Sequence, residues 1–206
     1  MLGFYNYTVI LTYIGMLTGF SGITMALMGN THYALICLMI AGVCDMFDGK
    51  IASTMERTDR EKAFGIQIDS LSDLICFGVL PAVIVCSRSY MSTMSFCIAG
   101  LYVLAALIRL AWFNVDEAER QTLEDSGREI YLGLPVTTAA LILPIMTEVM
   151  HALSLDPAKA GPFTLLVMGT AFLTPFKVKK PAMLGKISMV ILGGLSMVLL
   201  FAGFDI

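Results

Sequence analysis

Residues 44–78 read CDMFDGKIASTMERTDREKAFGIQIDSLSDLICFG, and four aspartates within them decide how the chain folds. Asp45 and Asp48 stand three apart, and Asp69 and Asp73 stand four apart. On a helix either spacing places both side chains on one face. The sequence before the first pair and after the second is apolar. A helix crosses the bilayer core with about 20 such residues, and segments 32–54 and 65–87 have that length and character. Each pair therefore sits near one end of a membrane helix, and the two ends are joined by the polar loop 55–64. So short a loop makes the helices antiparallel neighbours, and all four carboxylates can meet between them.

Composition supports a bilayer as the solvent. Of 206 residues, 57% are hydrophobic and 14% charged, and mean hydropathy is +0.82. A soluble domain carries roughly a quarter charged residues. The expected fold is an all-α polytopic membrane protein. Seven spans are predicted, at about 7–28, 32–54, 65–87, 92–114, 133–152, 161–178 and 185–204. They form a single transmembrane domain, residues 1–206, with a core over about 7–180 and an extra C-terminal helix over about 185–204. The first span lacks a basic n-region and reads as a retained helix. Net charge is only −3, and no basic stripe suggests a nucleic-acid partner. The five cysteines lie in apolar stretches without zinc-type spacing.

Loop charge gives the orientation. Arg57, Arg60, Lys62, Arg120, Arg128, Lys177, Lys179, Lys180 and Lys186 fall on one side, and only Arg88 and Lys159 on the other. By the positive-inside rule the first set is cytoplasmic. The aspartate pairs then lie at the cytoplasmic leaflet of the cell membrane. Gly15 and Gly19 form a G-x-x-x-G spacing with Gly22 beyond, suited to close helix packing within the chain or between chains.

One acid in a membrane helix costs about 2.5–3.5 kcal/mol on insertion scales, and four together also repel one another. Bound cations answer both costs. Carboxylate oxygens suit magnesium, manganese or calcium, and two ions about 3.5–4 Å apart clamp a phosphoryl centre. Gly49 follows Asp48 directly and Gly65 lies one turn before Asp69. With Ala52 they describe a low, bare-backbone groove beside the acids, fit for a metal-bound diphosphate. An ion-coupled transporter is the alternative of another class, though paired acids with interleaved glycines suit it less well. Arg109, within the fourth segment, is a candidate clamp for a phosphate or carboxylate, and Asn114 is a candidate to orient an acceptor.

The pattern D-x-x-D-G-x-x-A followed by G-x-x-x-D-x-x-x-D, formed by Asp45, Asp48, Gly49, Ala52, Gly65, Asp69 and Asp73, resembles the signature of the CDP-alcohol phosphotransferases. The runs Arg109–Asn114 (RLAWFN), Gly133–Val136 (GLPV) and Phe77–Ile84 (FGVLPAVI) are similar to the branch that accepts serine. The resemblance implies a six-helix core, a homodimer, and a site open to the cytoplasmic leaflet. It implies transfer of a phosphatidyl group from CDP-diacylglycerol to L-serine in membrane lipid, with release of CMP, at two divalent ions. Asp45, Asp48 and Asp69 would hold metal. Asp73 would join a second ion and act as general base. Asp45, Gly49, Ala52, Ser53 and Gly65 would meet the nucleotide diphosphate. The family usually has arginine where this chain has Ser53, and Arg57, Arg60 or Lys62 is a candidate replacement. Other acceptors (inositol phosphate, glycerol phosphate) and archaeal ether lipids are the near alternatives.

Overall fold

The computed structural model describes residues 3–123 and 130–179, with Gly193, Gly194 and Val198. Among these residues the chain forms six helices: α1 Tyr7–Leu27, α2 Thr31–Ala52, α3 Asp59–Arg88, α4 Thr93–Leu123, α5 Ala139–Ala152 and α6 Pro157–Leu173. Three of them, α1, α3 and α4, are long and apolar enough to cross a membrane. The turn and helix Val136–Ala152 form a shorter apolar segment, and α2 carries Asp45, Asp48 and Lys50 in its last two turns. The protein is an all-α membrane protein. The seventh span expected over 185–204 lies outside the described residues.

Local chemistry sets the boundaries. Gly29 ends α1 in the left-handed region (φ +83°), with its N–H on Ala26 O, a glycine stop. Six residues before the expected start, α3 begins with a capping box. Glu61 N–H bonds Thr58 Oγ1 and Glu61 Oε2 accepts from Thr58 N–H, which satisfies two otherwise orphaned donors. Helix α4 continues to Leu123, past the expected end at 114, because Glu117, Ala118, Glu119 and Gln121 favour helix without being apolar. Helix α5 starts late. Gly133 (φ +75°) has its N–H on Phe176 O, and Pro135 follows. A Cβ at Gly133 would stand 3.0 Å from Thr174 O. Helix α6 ends at Leu173, before the expected end at 178, and the chain then pairs Lys177–Lys179 antiparallel with Ile130–Leu132.

Helix α1 lies along α2 and α3 on its glycines. A Cβ on Gly15 would meet Cys44 Cβ at 3.2 Å, one on Gly19 would meet Cys76 Sγ at 2.5 Å, and one on Gly22 would meet Leu80 at 2.9 Å. The small-residue spacing is thus used within the chain. A single buried cluster that includes Leu38, Phe77, Leu80, Ile84, Tyr102, Leu143 and Phe172 joins α2 through α6. Exposed Ile10, Ile14 and Leu17 on α1 and Leu104, Leu107 and Ile108 on α4 face what the bilayer would occupy. Cys44, Cys76 and Cys86 are buried, while Cys97 is exposed.

Candidate functional site

Antiparallel α2 and α3 bring their aspartates to one place. An oxygen from each of Asp45, Asp48 and Asp69 lies within 4.8 Å of the other two. Asp73 stands beside Asp45, and Asp48 beside Asp69, each pair within hydrogen-bonding reach. Helix α1 closes the third side. Thr12 Oγ1 donates to Asp48 Oδ2 at 3.3 Å, Ser72 Oγ donates to Thr12 O at 3.5 Å, and Cys76 Sγ donates to Gly15 O at 3.4 Å. Asp48 is 9% exposed. Among the described residues, no basic side chain forms a salt bridge with any of the four. Converging, partly buried anions with only hard oxygen donors match what a divalent cation requires. The residues present fit such an ion.

Beside the acids opens a cleft of about 270 Å³, lined by Thr8, Val9, Thr12, Asp48, Gly49, Ala52, Arg57, Lys62, Gly65, Ile66 and Asp69. Its lining combines the carboxylates of Asp48 and Asp69 with the basic side chains of Arg57 and Lys62. A Cβ added at Gly49 would meet nothing within 4 Å, whereas one at Gly65 would come 3.2 Å from Arg57 Nη1. The Arg57 guanidinium thus lies over the bare backbone at Gly65. The N-terminal residues strap the rim: Asn6 Nδ2 donates to Glu61 Oε1 at 3.2 Å, Tyr7 Oη and Thr54 Oγ1 are 3.1 Å apart, and the Phe4 and Phe64 rings meet edge to face.

The structure thus gathers Asp45, Asp48, Asp69 and Asp73, and places Gly49, Ala52 and Gly65 on the cleft. Three other residues singled out in the sequence stand apart from its lining. Ser53 caps α2, exposed, with its hydroxyl on Lys50 O at 2.7 Å. Arg109 is 8% exposed, and its Nε donates to Leu134 O at 3.2 Å, tying α4 to the Gly133–Pro135 corner. Asn114 Oδ1 accepts from Ser70 Oγ at 2.9 Å, the residue that follows Asp69. Of the three basic candidates, Arg57 and Lys62 line the cleft and Arg60 does not. Sequence reasoning missed Thr8 and Thr12. Their i,i+4 spacing on α1 is the available signal, but threonines in an apolar helix are common and carry no motif.

Comparison with known proteins agrees with this geometry. The model of the CDP-alcohol phosphatidyltransferase family matches residues 5–176. The chain is 36% identical over 163 residues to the CDP-diacylglycerol–serine O-phosphatidyltransferase of Saccharomyces cerevisiae, covering 73% of this chain and 58% of that protein. It is 32% identical over 127 residues to the archaetidylserine synthase of Methanothermobacter thermautotrophicus, covering 61% and 51%. It is 28% identical over 142 residues to the CDP-diacylglycerol–serine O-phosphatidyltransferase of Mycobacterium tuberculosis, covering 64% and 45%. The chain thus spans about half the length of these curated relatives. With the acid cluster, the adjoining cleft and a family match over most of its length, the chain belongs to the CDP-alcohol phosphatidyltransferase family.

Proposed function

We propose that the protein transfers a phosphatidyl group from CDP-diacylglycerol to the hydroxyl of L-serine and releases CMP. One observation carries the reading: the carboxylates of Asp45, Asp48 and Asp69, with Asp73 beside Asp45, converge from two helices at a cleft that Arg57 and Lys62 also line. Such a cleft offers cation sites and cationic groups to the same diphosphate. Serine as acceptor is supported by the names of the relatives, all three of which are serine-lipid synthases.

In this reading Asp45, Asp48 and Asp69 would hold divalent metal, magnesium or manganese, and Asp73 would contribute to a second site. An ion held there would supply positive charge to the diphosphate and to departing CMP. Arg57 and Lys62, on the same cleft, hold the diphosphate. Gly49, Ala52 and Gly65 keep the cleft beside the acids low enough for the nucleotide. Asp73 takes the serine hydroxyl proton. The serine oxygen bonds to the lipid-linked phosphorus, and the bond from that phosphorus to the CMP oxygen breaks. CMP leaves with the electron pair. Asn114, hydrogen-bonded to Ser70 next to Asp69 in sequence, is the proposed residue that orients the acceptor. Arg109 is the proposed partner of the acceptor carboxylate; it stands off the cleft lining, with its Nε on Leu134 O. Ser53, with its hydroxyl turned to Lys50 O, contributes backbone alone. Loop charge supports a site at the cytoplasmic face of the plasma membrane, and the proposed functional unit is a homodimer.

The experiment is CMP release by the purified protein from CDP-diacylglycerol with L-serine, inositol phosphate or glycerol phosphate, with and without chelator, and from CDP-archaeol with serine. Serine-dependent, chelator-sensitive release is expected. Release with a phosphorylated alcohol in place of serine would overturn the acceptor. Solute counterflow in sealed vesicles with no CMP under any condition would overturn the reaction.

A further inference from the structure

Helix α3, which carries Asp69 and Asp73, is not uniform. From Leu74 to Val79 it widens into a π-helical turn, in which Leu80 N–H bonds Ile75 O, five residues back. Pro81 accounts for the place of that turn. It has no N–H to give Phe77 O, and in a regular α-helix its ring would press on that carbonyl. Phe77 and Pro81 are both fully buried, so solvent does not supply the missing donor. Tyr102 of α4 does, its hydroxyl donating to Phe77 O at 2.7 Å. Tyr102 is itself 1% exposed. Its ring packs on Phe172 at 5.4 Å, in space that Gly169 leaves open.

The turn matters because one residue of helix is roughly 100° about the axis. The half of α3 after the turn is fixed in the core by Leu80 and Ile84. The extra residue in the turn therefore sets the direction in which Asp69 and Asp73 leave the other half. Were the turn to tighten to regular α-helix, both carboxylates would swing away from Asp45 and Asp48.

We propose that Tyr102 is a positioning residue whose hydroxyl, by satisfying Phe77 O, holds the π-helical turn that aims Asp69 and Asp73 at the α2 aspartates. The proposal rests on the reading of those acids as a divalent-cation site. The test is Mn²⁺ affinity of the purified full chain, read from the electron paramagnetic resonance of free Mn²⁺, with CMP release followed in parallel. Tyr102→Phe is expected to fold and to bind Mn²⁺ roughly 10- to 100-fold more weakly, the range seen when groups that orient metal ligands are removed. Pro81→Ala supplies an N–H that competes for Phe77 O and is expected to weaken binding in the same direction. Affinity is intensive, so a smaller folded fraction does not imitate this result. Wild-type Mn²⁺ affinity in folded Tyr102→Phe would overturn the proposal. Should that variant fail to fold, wild-type affinity in Pro81→Ala would overturn it instead. A wild-type chain that binds Mn²⁺ yet releases no CMP would sink the proposed reaction and leave the Tyr102 test standing. One that binds no Mn²⁺ would overturn the positioning role with the cation reading beneath it.

Discussion

Asp73 is where the proposed chemistry is most exposed to a single substitution. It sits beside Asp45 and opens the π-helical turn. Asp73→Asn keeps the volume and removes the base. Turnover is expected to fall by about two to four orders of magnitude, the usual worth of a general base, while Asp45, Asp48 and Asp69 still bind Mn²⁺. CMP-release kinetics beside a Mn²⁺ titration check this, and near-wild-type turnover would take the base role from Asp73. At this scale the sequence is informative for some residues and silent for others. The 45/48 and 69/73 spacings are local helix geometry, so the carboxylate faces could be read directly. Thr12 on Asp48, Arg57 over Gly65 and Arg109 on Leu134 O depend on how helices distant in sequence come to rest. Nothing in the residues adjoining each of them encodes that.

At the scale of elements, glycines on α1 set the depth at which it lies on α2 and α3. Gly19→Leu would drive a side chain into Cys76, where a Cβ alone would already stand 2.5 Å from Sγ. Overpacking of this kind costs about 1–3 kcal/mol, so a lower thermal midpoint in detergent is expected. An unchanged midpoint would mean α1 does not pack as described. Hydropathy located the helices but misplaced several ends, because it reports burial rather than hydrogen bonding. The Thr58–Glu61 capping box starts α3 in polar sequence, and α4 runs on through charged helix formers to Leu123. The π-helical turn before Pro81 needs Tyr102 from another helix, a contact that no pattern within residues 74–81 announces.

For the whole molecule, the proposal sets the acid cluster at the cytoplasmic leaflet. In oriented vesicles of a Cys97→Ser background, an impermeant maleimide should label Arg60→Cys only from the cytoplasmic side. It should label Tyr90→Cys, 91% exposed at the opposite α3–α4 turn, only from the other side. The reverse pattern would invert the topology. The account as a whole depends on α2 and α3 pooling their carboxylates around bound cations, and the most direct measurement is anomalous scattering at the manganese edge from crystals grown with Mn²⁺. It should place metal between the two helices, about 2.0–2.6 Å from oxygens of Asp45 or Asp48 and of Asp69 or Asp73 together. Metal bound to one helix alone, or no metal between the two, would contradict it.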